Sequence, residues 1–273
     1  MSPLRTLLLG ALALHSTTTA NPNPNDQTPL TNLDDYVCTH PPYKVTMVSK
    51  SPLVIYITDF LTPSERAHLL HVTSNTFTPS NIAPASRGGD TTHIRTSHST
   101  LVPRDPLVRC LETRALLFQG YDTPRSRLEP LQLVRYLPSQ HYHYHTDWFP
   151  PHSPQQSEGG NRVSSFFAYV RVANGTTGGG TNFPRLAGVG DERWCEAGIV
   201  DCDEEWERGV TFRPVEGNAV YWENLVPGTA GEGDERTMHA GLPVVGGEKV
   251  GMNIWTREGG LGEGVRGADR YDD

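Results

Sequence analysis

The feature that most constrains the fold is a change of texture at Leu131. Beyond it the chain runs in short β-branched and aromatic stretches: Leu131-Gln-Leu-Val-Arg-Tyr136, Arg162 to Val172, Asn218-Ala-Val-Tyr-Trp222 and Val250-Gly-Met-Asn-Ile-Trp255. Gly-rich segments separate them, including Thr176-Thr-Gly-Gly-Gly-Thr181 and Gly228 to Gly233. Such runs bounded by turn residues predict strands. The part before Leu131 reads differently. Leu53-Val-Ile-Tyr-Ile57 predicts a strand, and Thr62-Pro63 with Glu65 three residues after the threonine predicts a capped helix start with proline in the first turn. Segment 76–94, rich in Thr, Ser, Pro and Gly, reads as a loop. Pro106 to Phe118 places Leu107, Val108, Cys110, Leu111, Leu116 and Leu117 on a mainly apolar side, predicting a second helix. Helices followed by loop-rich antiparallel strands predict an α+β protein with a double-sheet β core.

The 273 residues show no fixed-period repeat, which argues for one domain. A hydrophobic content of 36% with 27 Gly and 22 Pro fits short strands and many loops better than a helical bundle. The balance of 23 Lys+Arg against 31 Asp+Glu gives a charge of −8, and without a basic run nucleic acid is not an expected partner. Arg5, the apolar run Leu7 to Leu14 and the small and hydroxyl residues up to Ala20 predict a signal peptide over 1–20. That run is too short for a bilayer core, which needs about 20 apolar residues, so no stable membrane insertion is expected; an uncleaved anchor is the alternative. The expected division continues with a partly disordered lead-in over 21–50, the catalytic domain over 51–258 and a flexible tail over 259–273.

The signal implies the endoplasmic reticulum lumen or secretion, a setting that suits disulfides among Cys38, Cys110, Cys195 and Cys202. Three pairings are open. The favoured one joins Cys195 to Cys202 across a small loop and Cys38 to Cys110 between the N-terminal segment and a helix; free buried thiols are the alternative. Asn174-Gly-Thr176 is a glycosylation acceptor pattern on the same route. The acidic insertion Asp191 to Arg208 lacks the ligand spacing and central glycine of a calcium loop, so a solvated, disulfide-pinned loop is expected.

The candidate chemistry lies in His141-Tyr-His-Tyr-His-Thr-Asp-Trp-Phe149. On an extended segment His145 and Asp147 leave the same face and can share a metal ion. His239 offers a distant third ligand, which completes a two-histidine, one-carboxylate set that leaves one face of the metal open. Lys249, ten residues after His239, makes the pattern specific. His141 and His143 alternate with tyrosines and are not needed once three ligands are found. The same donor types can hold zinc, but a zinc hydrolase lacks an identifiable general base here and leaves Lys249 unexplained.

From Pro52 to Trp255 the chain resembles the prolyl 4-hydroxylase type of iron(II) and 2-oxoglutarate dependent dioxygenases. The resemblance rests on Tyr136, Ser139-Gln140, Tyr142, His145 and Asp147, with Ser139 in place of the family's glycine. It continues through Arg162 to Tyr169, Gly179-Gly-Thr-Asn-Phe-Pro184 with its threonine one place early, Pro214 to Asn224, His239 with Lys249, and Asn253-Ile-Trp255. It implies a double-stranded β-helix, or jelly-roll, core with N-terminal flanking helices. It also implies Fe(II) held by His145, Asp147 and His239, with 2-oxoglutarate as cosubstrate, O2, and ascorbate. Lys249 is then expected to pair with the far carboxylate of 2-oxoglutarate, helped by Tyr136 and Ser165, while Tyr142 and Arg162 face the substrate. The reaction so implied hydroxylates a peptidyl proline and releases succinate and CO2. The alternatives are the same chemistry on a small metabolite or another side chain, and an inactive secreted binding protein. A peptide or small-molecule substrate is the only partner implied; a partner subunit is not specified.

Overall fold

The structure, a computed structural model, describes residues 27–30, 32–34, 36–80, 94–120, 122–186, 192–203 and 208–266. The expected signal peptide lies outside the described residues. In chain order the elements are β1 (Lys44–Lys50), β2 (Leu53–Thr58), α1 (Pro63–Val72), β3 (Thr78–Pro79), β4 (His98–Leu101), α2 (Pro106–Gln119), β5 (Gln132–Tyr136), β6 (Tyr142–His145) and β7 (Arg162–Val172). They continue as β8 (Thr177–Gly178), β9 (Thr181–Phe183), α3 (Glu192–Glu196), β10 (Val210–Phe212), β11 (Ala219–Glu223), β12 (His239–Gly241), β13 (Val244–Gly246), β14 (Lys249–Arg257) and α4 (Glu263–Arg266).

Strand β7 shows how sequence parity sets the layers. Phe166, Ala168 and Val170 point to one face, where they join Leu69 of α1 and Leu107, Val108, Leu111 and Ala115 of α2 in a buried cluster. Phe167 and Tyr169 point to the other face, with Val134, Tyr136, Val220 and Trp222, against Phe183, Val210 and Phe212 of the second sheet. A strand covered on both faces reads as a near-continuous apolar run, as 166–170 does. Each fully buried large side chain contributes roughly 1.5–3 kcal/mol.

The larger sheet runs β1-β2-β11-β7-β14-β5-β4-β3 and the smaller β10-β9-β12-β6, with β13-β8 as a separate pair. All these pairings are antiparallel. This is the expected α+β double-stranded β-helix with its helices packed outside the larger sheet.

Local signals decide the helix starts. Thr62 and Glu65 form a reciprocal capping box at α1, and Asp105 caps α2 by accepting from Val108 N. Both disulfides, Cys38–Cys110 and Cys195–Cys202, are the favoured ones. The lead-in contains β1, which pairs along β2, because Val45, Thr46, Met47 and Val48 supply β-forming residues between its lysines. The tail is anchored at its start: Leu261 is buried and its N–H donates to Ser126 O. Segment 76–94, expected as a loop throughout, contains β3, which pairs with β4. Among the described residues no helix is long and apolar enough to cross a membrane.

Candidate active site

His145 ends β6 and His239 begins β12, and the two residues face each other across the ladder of the smaller sheet. Asp147 lies two residues beyond β6, so the chain returns its carboxylate to the same point. His145 Nε2 is 3.8 Å from Asp147 Oδ1, and His239 Nε2 is 3.9 Å from Asp147 Oδ2. One ligand atom from each residue lies within 4.8 Å of the others. His145 Nδ1 donates to His143 O at 2.8 Å and His239 Nδ1 to Thr237 O at 2.9 Å. Each backbone acceptor fixes its imidazole's tautomer and leaves the Nε2 lone pair for a metal. Burial, and then the neighbouring His239, push the His145 imidazole down to about 3, so it is neutral and able to ligate. For Asp147, burial opposes ionisation but is outweighed by His239, His145, Arg162 and the Ser165 hydrogen bond, and its carboxyl lies well below the usual range. Two imidazole nitrogens and one carboxylate are the donor set of an open-faced iron site, and the residues present fit that ion. His141 and His143 lie outside the cluster.

Behind Asp147, Oδ2 accepts from Ser165 Oγ at 2.6 Å and from Trp255 Nε1 at 3.0 Å. This corrects the expected place of Ser165 beside Lys249. On β14, Ser165 pairs with Trp255 whereas Lys249 pairs with Val172. Lys249 and Trp255 are six residues apart, about 20 Å at strand rise. The hydroxyl is therefore at the carboxylate end of the site. Sequence reasoning missed the roles of Trp255, Ser165 and Asn224 around Asp147. Parity offers a signal for the first, since Lys249, Gly251, Asn253 and Trp255 share one face of β14.

Lys249 is wholly buried among the inward-facing aromatics. Its Nζ donates to Gly179 O at 2.5 Å and lies 4.6 Å from the Tyr136 ring centre and 5.5 Å from that of Phe167. Burial pushes its ammonium down to about 7. Gly179, at φ +73, lets the lysine stem pass close by: a Cβ there would lie 3.7 Å from Lys249 Cδ and 3.0 Å from a Val244 methyl. Tyr136 pairs directly with Lys249 across β5 and β14, and burial pushes its phenol up to about 12, keeping it a hydrogen-bond donor. Ser139, where the resemblance has glycine, adopts φ +71, a left-handed conformation that glycine takes without steric cost.

A cavity of about 900 Å³ runs from Tyr136, Phe167 and Thr181 past His145, Asp147 and His239 to Phe149, Arg162 and Trp255. The Tyr142 ring stacks on His145 at 3.6 Å and has the Arg95 guanidinium 4.5 Å from its centre. Arg162 binds both oxygens of Glu129, at 2.7 and 2.8 Å, and lies 3.7 Å over the Trp255 ring. Both residues line the cavity, Tyr142 against a ligand ring and Arg162 in a held orientation.

An open-faced N2O donor set in the mouth of a double-stranded β-helix defines a class of oxygen-using metalloenzymes. Comparison with known proteins is specific about which. The profile of the 2OG-Fe(II) oxygenase superfamily matches residues 131–257. Prolyl 4-hydroxylase 1 of Arabidopsis thaliana is 31% identical over 220 residues, covering 79% of this chain and 72% of that protein. Prolyl 4-hydroxylase subunit alpha-1 of Gallus gallus is 30% identical over 175 residues, 62% of this chain and 28% of that one. Among solved structures, the viral collagen prolyl hydroxylase from Paramecium Bursaria Chlorella virus-1 in its 2OG complex has a TM-score of 0.52 at 21% identity. The alignment covers 81% of this chain and 98% of that chain, a likeness of fold. The chain belongs to the prolyl 4-hydroxylase family and is a 2-oxoglutarate and Fe(II) dependent dioxygenase.

Proposed function

We propose that the enzyme hydroxylates peptidyl proline, with His145, Asp147 and His239 holding Fe(II) and Lys249 holding the far carboxylate of 2-oxoglutarate. The observation that carries this reading is that the triad lines a cavity whose far wall includes Tyr136 and Phe167, the two rings beside which the buried Lys249 ammonium sits. The bound iron, with 2-oxoglutarate and O2, supplies oxidative decarboxylation to succinate and CO2 coupled to hydroxylation of the substrate. Each imidazole donates its Nδ1 proton to a backbone carbonyl, which orients the ring and turns Nε2 toward the shared point. Lys249 takes a buried carboxylate as its charge partner, since an ammonium among aromatic rings needs one. Tyr136 adds a hydroxyl donor at that end. Phe149, Trp255 and Arg162 line the mouth, and the aromatic surface there shields the reacting face from water while Tyr142 holds the His145 ring.

A peptide substrate is supported by the relatives. A Trichoplax adhaerens prolyl hydroxylase, with a TM-score of 0.50 and 14% identity over 75% of this chain and 83% of that one, was solved with a hypoxia inducible factor peptide fragment. The cavity's extent beyond the triad to Phe149, Pro150 and Leu261 also supports it. Ascorbate is proposed as the reductant that keeps the iron ferrous. The signal-like start, the two disulfides and an exposed Asn174 in the turn after β7 support passage through the secretory pathway; formation of both disulfides in the producing cell is the check.

The assay follows succinate release and a one-oxygen mass gain on a proline-rich peptide, with Fe(II), 2-oxoglutarate and ascorbate supplied. His145→Ala and Asp147→Ala are each expected to abolish both signals. Unchanged succinate formation in either variant overturns the ligand assignment, and succinate coupled only to a small metabolite overturns the peptide.

A further inference from the structure

Ser165 and Asn224 are both wholly buried. Ser165 Oγ lies 2.6 Å from Asp147 Oδ2, and Asn224 Nδ2 lies 2.9 Å from the same Oγ. An ionised carboxylate only accepts hydrogen bonds, so the short contact with Asp147 requires the hydroxyl's single proton. The other neighbour of Ser165 must then donate. Asn224 does so with its amide nitrogen; reversed, the amide would set Oδ1 beside the hydroxyl and compete for its one proton. This orientation leaves Asn224 Oδ1 buried without a partner among the described residues, an arrangement that is unfavourable in itself. The backbone holds the residue firmly, with Asn224 N donating to Val163 O at 2.9 Å and Asp234 N to Asn224 O at 2.8 Å.

We infer that Asn224 is a positioning residue for the metal-binding carboxylate, acting by fixing the direction of the Ser165 hydroxyl so that it donates to Asp147 Oδ2. With Trp255 Nε1 as the second donor to that oxygen, Oδ2 has two protein donors, and Oδ1 is the oxygen that would be left to hold a metal. Asn224 does not line the cavity. Its effect passes through one hydroxyl, so losing the amide and losing the hydroxyl have the same consequence. The inference rests on the assignment of Asp147 as a ligand, and its test separates the two.

Co(II) is titrated into the full chain without 2-oxoglutarate, and its ligand-field absorption gives the affinity. Removal of a residue that orients a metal ligand typically weakens affinity 10–100-fold. Ser165→Ala and Asn224→Leu are each expected to weaken Co(II) binding by about 10-fold or more, and the double variant to be no weaker than Ser165→Ala alone. Asn224→Asp keeps the shape but can no longer donate when ionised; it carries the same expectation and replaces the leucine variant if that one loses its near-ultraviolet circular dichroism. Wild-type affinity in a folded Asn224 variant, or a double variant showing the product of both single losses, overturns the inference. Asp147→Ala tests the underlying assignment separately: if it leaves Co(II) binding intact, the metal site itself is wrong and the inference falls with it.

Discussion

At the scale of the residue, Lys249 has the most telling environment. Its folded-state value of about 7 lies below the ordinary 10.5 and is set by burial. Between those values the unfolded chain binds more protons than the folded one, so stability without cosubstrate rises as pH rises through that window. Below about 7 both states carry the proton and the cost of burying it is felt in full. Thermal melts from pH 7 to 10 should show the rise, on the order of a few kcal/mol, and Lys249→Met should flatten it. The same substitution should raise the 2-oxoglutarate requirement roughly 30-fold or more, as expected when one partner of a buried charge pair is removed, while Co(II) affinity stays near wild type. Loss of metal binding with cosubstrate binding kept would assign the lysine elsewhere. Lys249, His145, Asp147 and His239 are legible in the sequence because a His-x-Asp pair, a distant histidine and a lysine ten residues after it make one pattern. Ser165 was misplaced because a residue's position along a strand does not reveal its register with the next. Asn224 is not legible as a functional residue, since a buried amide acting through a hydroxyl has no sequence signature.

At the scale of the element, the connection from β11 to β12 joins the ligands mechanically. Leu225 bridges to Gly233, Asp234 O accepts from Trp148 Nε1 at 3.3 Å, and Thr237 O holds His239. A Cβ on Gly233 would fall 2.1 Å from the Trp148 ring, next to Asp147 in the chain. Gly233→Ala should therefore push the connection off Trp148, costing about 1–3 kcal/mol in urea unfolding, and should weaken Co(II) binding as well. Gly262→Ala, where a Cβ would meet nothing within 4 Å, should stay within about 0.5 kcal/mol of wild type. Equal effects of the two would deny the Trp148 contact any role. The strands of the core were legible from their apolar runs, and α1 and α2 from their caps. Strand β1 was not: it lies at the sheet edge with Val45 and Met47 exposed, so no buried run announces it.

At the scale of the whole molecule, the two disulfides do unequal work. Cys38–Cys110 closes a separation of 72 residues and Cys195–Cys202 one of 7. Chain-entropy arithmetic gives about 4 kcal/mol for the long loop and about 2 kcal/mol for the short one. The long crosslink also fixes the segment over Arg114, which is buried with Glu65 at 2.5 Å and donates to Thr39 O at 3.0 Å. Without it, segment 36–40 is free to leave, and Arg114 loses an acceptor and part of its cover. Breaking up a satisfied buried ionic cluster adds to the entropic loss. Replacing Cys38 and Cys110 together with alanine should thus lower the urea midpoint more than replacing Cys195 and Cys202, with the unfolding slope little changed if the denatured state keeps its extent. The metal site is on the opposite side of the larger sheet from α2, so Co(II) affinity in the folded protein should survive both replacements. A greater loss of stability from the Cys195 and Cys202 pair would mean that the acidic insertion, and not the N-terminal strap, holds the domain closed.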